Sequence, residues 1–393
     1  MRWPLFSNSA QAEVLPETSA TSSTRFSFRL LRELKSTSGV ANTFFSPASI
    51  LLCLGMLHEG AAGETRQAIA RALQVTGLEP EKFRLMIAAL RSSLRMREPA
   101  LQLEVANSLW CDHKLQVNPE FIKEVISAYE SEVRVIELGG PGAVAEINSW
   151  VSEKTHGKIQ NVINNLDSLT SLVAINAIYF KDLWRVPFET ADTRDETFHT
   201  SNDRQVKVPL MIQFGSYSYY EEKIFQAVRI PYRTSRLSMW VFLPAEGSSL
   251  VSFLQHFDSG AWDHCTHNFD EVPGLLRVPR FKLEYGANLK TALTNLGMGI
   301  AFDSESAQFD GIHVPPPATW IDQVRHQAYI EVTESGTEAA AATAAIPMTM
   351  ASMKARPTRT FRMIVDRPFF FTICDNSTDT ILFMGAIEDP TAY

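Results

Sequence analysis

The chain has 393 residues, 45% hydrophobic and 20% charged, with 24 Phe and 7 Trp, so it holds ample material for a large core and is not a mainly disordered chain. Its 36 Lys and Arg against 44 Asp and Glu leave a net charge of -8, which argues against nucleic-acid binding through a global positive field. No apolar run approaches the ~20 residues that cross a bilayer, so no membrane partner is expected.

The N-terminus turns polar after Phe6 and shows no secretory signal, which favours a cytoplasmic location over an extracellular one. Residues 7–24 are rich in Ser, Thr, Ala and Glu, so 1–24 reads as a mobile tail ahead of a single domain over 25–393. Apolar residues recur at helical spacing over 25–35. Ser46 is placed to cap a second helix, with Pro47 in its first turn, and 50–57 is too apolar for a surface helix. Helices are predicted over 65–73, 81–95, 119–129 and 143–154. Strands take over at 172–180, which has almost no polar face and reads as covered on both sides. Others are predicted over 228–232, 237–244, 276–283, 327–332, 369–373 and 380–384, giving one α+β unit.

Chemistry-bearing motifs are absent. There is no GxSxG, HExxH, P-loop or GxGxxG, so nothing marks the chain as an enzyme and no cofactor is expected. The run His264-Cys265-Thr266-His267 lacks a fourth ligand at metal spacing, and no metal site is assigned. Cys53, Cys111, Cys265 and Cys374 form no CxxC pair and read as free, mostly buried thiols. Arg91, Arg95 and Arg97 read as a solvated helix face.

Residues 334–361 do not suit an ordinary domain. The first half is almost all small side chains, and the second is polar and basic, with Pro347 and Pro357. Ala favours a helix over 338–345, yet the segment has no apolar stripe with which to dock one. It reads either as an exposed Ala-rich connector or as a segment shaped to enter a tight slot between strands. As a strand it would place Thr337, Ala339, Ala341, Thr343 and Ala345 on one face, with no charge among them. Glu338, Ala340, Ala342, Ala344 and Ile346 would fall on the other.

From about Arg25 to Pro390 the sequence resembles the serpins. The motifs that carry the resemblance begin with Asn42-Thr43-Phe44-Phe45-Ser46-Pro47-Ala48-Ser49-Ile50 and Gly60-Ala61-Ala62-Gly63-Glu64-Thr65. They continue with Ala106-Asn107-Ser108-Leu109-Trp110, Ile147-Asn148-Ser149-Trp150-Val151 and Asn176-Ala177-Ile178-Tyr179-Phe180-Lys181. The last are the hinge at 334–343, Asp366-Arg367-Pro368-Phe369 and Leu382-Phe383-Met384-Gly385. The resemblance implies an α+β serpin fold of three β-sheets and about nine helices, with an exposed reactive-centre loop over about 334–361. It implies a monomer that acts as a suicide substrate. A serine protease attacks the loop, forms an acyl-enzyme, and is trapped covalently when the cleaved loop inserts into the main sheet. The alternative is a non-inhibitory serpin-fold binding or chaperone protein.

The resemblance also assigns residues. Glu334, Gly336, Thr337, Glu338, Ala339, Ala340, Ala341, Ala342 and Thr343 match an inhibitory hinge. Ser46, Ser49, Asn176 and His326 match a polar cluster where the sheet must part. Trp184 matches the tryptophan where the loop enters, and Arg280 is the expected partner of Glu334. Hinge spacing places the reactive bond between Met350 and Ala351; the second choice is Met348–Thr349, which follows a bait-like Ala345-Ile346-Pro347. Either offers an unbranched apolar side chain, which suits elastase-like or chymotrypsin-like proteases. Two departures stand out: Asp182 replaces the family's usual Gly, and Gln308 its usual Asp.

Overall fold

The computed structural model describes residues 17–38, 41–96, 98, 101–313, 318–337 and 359–392. Among these lie nine α-helices: α1 (Glu17–Ser38), α2 (Pro47–Gly60), α3 (Gly63–Ala72), α4 (Pro80–Leu94), α5 (Pro119–Tyr129), α6 (Ala143–Lys154), α7 (Leu250–His256), α8 (Ser259–Thr266) and α9 (Lys290–Leu293). Proline opens α2, α4 and α5, where its missing N–H costs no bond. The Ser46 hydroxyl accepts the Ser49 N–H at 3.2 Å, so α2 starts where the sequence places it. Helix α1 starts earlier than expected: residues 17–24, read as tail, are helical. Their polar composition hid this. Ser23 and Thr24 are buried, and the Ser27 hydroxyl bonds back to the Ser23 carbonyl at 2.7 Å.

The strands, in chain order, are β1 (Thr43–Phe45), β2 (Gln102–Asp112), β3 (Glu132–Ile136), β4 (Leu172–Leu183), β5 (Arg194–His199), β6 (Gln205–Glu222), β7 (Phe225–Pro231) and β8 (Leu237–Pro244). They continue with β9 (Asp270–Pro279), β10 (Phe281–Asn288), β11 (Ile321–Thr333), β12 (Gly336–Thr337), β13 (Phe361–Ile364), β14 (Phe369–Asp375) and β15 (Thr380–Ile387). The main sheet runs β10-β11-β12-β4-β2-β3. The other nine strands form one continuous ladder, β1-β15-β14-β8-β7-β6-β9-β13 with β5 paired to β6, whose two halves act as a second sheet (β1-β15-β14-β8-β7) and a third (β5, β6, β9 and β13). The long strand β6 links these last two, pairing with β5 and β9 along 205–219 and with β7 along 218–222. The strand predicted over 276–283 is two strands: β9 ends at Pro279 in the third sheet and β10 begins at Phe281 in the main one, with Arg280 at the corner. Proline has no N–H to extend a ladder, which suits it to that break.

Helix α2 is buried almost all round, packed against β4 and β2 on one side and β15 on the other. On the opposite face of the main sheet, α6 lays Ile147, Trp150 and Val151 over Trp110, Val173, Ile175 and Ala177. The described cysteines Cys53, Cys111, Cys265 and Cys374 are free and buried. Burial pushes the Cys53 and Cys111 thiols up to about 12, which leaves them inert as nucleophiles at neutral pH. In α8, Cys265 is buried while His264 and His267 stay exposed, so that run does not gather into one ligand set. Among the described residues no helix is long and apolar enough to cross a membrane.

Candidate functional site

The main sheet contains a seam. Within it β4 and β11 run parallel, paired from Leu172↔Ile321 to Tyr179↔Tyr329. Beyond Tyr179 and Tyr329 the two strands no longer pair with each other. The two residues of β12 lie between them instead. Gly336 pairs with Thr333 on one side and Leu183 on the other, and Thr337 with Val332 and Asp182. The upper end of the sheet is thus already parted by the first residues of the hinge.

The residue types explain why the hinge fits. Gly336 has φ 153°, and a Cβ there would come within 2.2 Å of the Asp182 carbonyl oxygen. Thr337 is fully buried, and its hydroxyl pairs with the Tyr232 phenol at 2.7 Å. Trp184 stacks on Tyr232 with ring centroids 4.5 Å apart. Its indole N–H donates to the Thr333 carbonyl at 2.8 Å, and its backbone N–H to the Ser335 carbonyl at 3.0 Å. Just before the hinge, the buried Glu334 carboxylate accepts from Arg280 and, at 2.7 Å, from the Thr193 hydroxyl. Burial alone would raise that carboxyl, but the hydrogen bonds from Arg280 and Thr193 outweigh it and hold it below the usual carboxylate range.

Asp182, the first departure from the family pattern, finds two partners here. One carboxylate oxygen accepts the Leu183 N–H at 2.8 Å and the other the Thr234 hydroxyl at 3.1 Å. Burial still pushes its pKa up to about 6. Gln308, the second departure, caps the α3 approach: its carbonyl accepts the Ala62 N–H at 3.0 Å, and its side chain fills the space where a Cβ of Gly63 would stand.

Lower in the seam, one polar row crosses three strands. Asn107 on β2 stands opposite Asn176 on β4, and Asn176 opposite His326 on β11. All three are buried. The Asn176 amide donates to Asn107 Oδ1 and to the Ser49 hydroxyl, and its Oδ1 meets His326 Nδ1. The Ser46 N–H points to His326 Nε2 at 3.3 Å. Nε2 therefore accepts and Nδ1 carries the proton, so the imidazole is neutral. Burial lowers its pKa to about 3, in agreement. The row ties α2 to both strands flanking the seam, and every bond in it must adjust if those strands part.

The outer face is pinned as well. Tyr179 and Tyr329 face each other across the seam with ring centroids 6.0 Å apart. The Lys158 ammonium lies over both, at 5.8 and 5.7 Å.

The structure thus brings together Ser46, Ser49, Asn176 and His326 in one cluster and Trp184, Arg280, Glu334, Gly336 and Thr337 in another. Glu338, Ala339, Ala340, Ala341, Ala342 and Thr343, and both candidate bonds, Met350–Ala351 and Met348–Thr349, lie outside the described residues. Sequence reasoning missed Asn107, Thr193 and Tyr232. Asn107 alone left a signal, a polar residue inside a motif on a buried strand; the other two depend on contacts that only the fold creates.

Comparison with known proteins agrees with this geometry. The serpin (serine protease inhibitor) family model matches residues 21–390. The chain is 31% identical over 389 residues to the leukocyte elastase inhibitor of Xenopus tropicalis, covering 95% of this chain and 100% of that one. Among solved structures it is similar to the thermophilic serpin tengpin in its native state, with a TM-score of 0.88 and 26% identity over 96% of this chain and 95% of that one. It is also similar to human thyroxine-binding globulin, with a TM-score of 0.83 and 27% identity over 95% of this chain and 99% of that one. A family match over nearly the whole chain, on a fold whose main sheet already admits the hinge, leads to one conclusion: the chain belongs to the serpin family.

Proposed function

We propose that this serpin inhibits serine proteases as a suicide substrate. One observation carries the reading: Gly336 and Thr337 already sit as a strand between β4 and β11, paired on both sides. The next residues in sequence, Glu338 to Thr343, place only small side chains on the face that Thr337 continues inward. A cut at Met350–Ala351 frees the hinge to extend that strand, and each added residue gains ladder bonds on two sides while the β4–β11 pairing opens ahead of it. The protease, joined to Met350 as an acyl-enzyme, travels with the new strand. Hydrolysis of that ester needs an intact active site, and the dragging distorts it before water attacks. An apolar Met at the cut, and the likeness to a leukocyte elastase inhibitor, point to elastase-like or chymotrypsin-like targets.

The likeness to thyroxine-binding globulin favours a second reading, a serpin fold that carries a ligand rather than trapping a protease. The test is incubation of the full chain with chymotrypsin, pancreatic elastase and trypsin, followed by a denaturing gel and the intact mass of the released peptide. A band at the summed mass that survives SDS supports trapping. A peptide that starts at Ala351 assigns Met350, and one that starts at Thr349 assigns Met348. Cleavage by all three with no such band favours the carrier reading.

A further inference from the structure

The third sheet turns an unusual face outward. On β6, β9 and β13, Phe214 stands opposite Leu275, and Leu275 opposite Arg362. One step along, Ile212 stands opposite Arg277, and Arg277 opposite Ile364. Residues opposite each other in a ladder point to the same side, as do residues two apart on a strand, so these six share one face. The alternate residues Met211, Leu276, Val278 and Met363 point inward and are buried.

Phe214 is 67% exposed. Arg277 is neutralised by Glu196 at 2.6 Å, but the Arg362 guanidinium has no partner among the described residues. An exposed aromatic ring and an uncompensated arginine flanking Leu275, one strand away on either side, have the composition of an interface centre.

What lies nearby follows from chain length, and here the inference rests on the inhibitory reading. Strand β13 is where the reactive loop returns to the body, and Arg362 and Ile364 belong to both that strand and this face. Only eight residues separate Met350 from Arg359. At ~3.3 Å per residue they span at most about 30 Å, roughly the width of a small domain. A protease holding the bond after Met350 is therefore tethered within that reach of β13, whose Arg362 and Ile364 lie on this face.

We propose that Phe214, Leu275, Ile212 and Ile364, together with Arg362, form a second contact surface for the target protease. It fits a rim that presents an apolar side chain next to a carboxylate. The face raises the rate of encounter and leaves the chemistry to the loop.

The test measures the second-order rate constant for loss of the intact loop, which counts cleavage and trapping together. The full chain, Phe214→Ser, Arg362→Glu and the control Ile126→Ser, whose residue is 56% exposed on α5, are each mixed with chymotrypsin and pancreatic elastase. Melting temperatures confirm that the variants fold, and Arg362→Glu keeps the test open should Phe214→Ser misfold. With at least one enzyme, Phe214→Ser should lower the constant about tenfold, and Arg362→Glu should lower it and flatten its salt dependence, while Ile126→Ser leaves it unchanged. Constants within about twofold of wild type for both variants with both enzymes overturn the proposal. Attack on the loop without trapping overturns the inhibitory reading alone. A wild-type loop that neither enzyme attacks overturns both.

Discussion

The Tyr232 phenol holds the Thr337 hydroxyl at 2.7 Å, deep between two strands of the main sheet. Thr337 is fully buried in the uncut chain, so under the inhibitory reading insertion would extend a strand that is already begun. Any charge at that position would have to be buried without a partner, at a cost of several kcal/mol. Thr337→Arg is therefore expected to keep the loop cleavable while blocking its insertion. On a denaturing gel the variant should shift from covalent complex to cleaved product by about tenfold or more. A variant that traps as well as wild type would separate Thr337 from the insertion path.

The His326 row makes stability depend on acid. Its folded pKa of about 3 lies below the ordinary value of 6.5, so the native state binds fewer protons than the unfolded chain between those limits. Its stabilising share is complete above pH 6.5 and is lost as pH falls toward 3, on the order of 5 kcal/mol in all. His326→Gln should flatten that limb of a melting-temperature profile over the same range. A slope identical to wild type would mean that other groups govern the acid limb.

Asp182 acts in the opposite sense. Its folded pKa, raised to about 6 chiefly by burial, lies above the ordinary 3.8, so the native state holds the proton longer. Stability therefore falls as pH rises from about 4 to about 6 and stays lower above that. Asp182→Asn keeps an acceptor for the Leu183 N–H without the buried charge. It should raise stability at pH 7 by roughly 1–2 kcal/mol and leave pH 4 unchanged.

Arg280, at the corner between β9 and β10, is paired with Glu334 just ahead of β12. Removing Arg280 leaves a buried carboxylate with only Thr193 and backbone to hold it. Glu334 is held below its ordinary pKa, so its contribution is present at neutral pH and lost as pH falls below the carboxylate range. Arg280→Ala should lower the melting temperature at pH 7, and the deficit should shrink below pH 4. An equal deficit at both would mean that Arg280 acts by packing alone.

Much of this was legible in the sequence because single residues carried it. Ser46 and Pro47 announced α2, and the almost unbroken apolar run from Leu172 announced the covered strand β4. What the sequence hid depended on register and turns. Strand β6 keeps no steady alternation of buried and exposed residues and runs on unbroken where it passes from one sheet to the next, and α1 conceals its first turns in buried Ser and Thr. Glu334 and Arg280 could be paired by family pattern. Tyr232 could not, since only the packing of Trp184 and Thr337 onto it gives that tyrosine a role.

The measurement closest to the central claim is the melting temperature of the chain before and after its loop is cut once by a protease that is then removed. If the cleaved hinge extends β12 between β4 and β11, roughly ten new ladder bonds at about 1 kcal/mol each predict a rise on the order of 10–20 °C. A cleaved chain that melts at the same temperature as the intact one would contradict insertion and the inhibitory mechanism built on it.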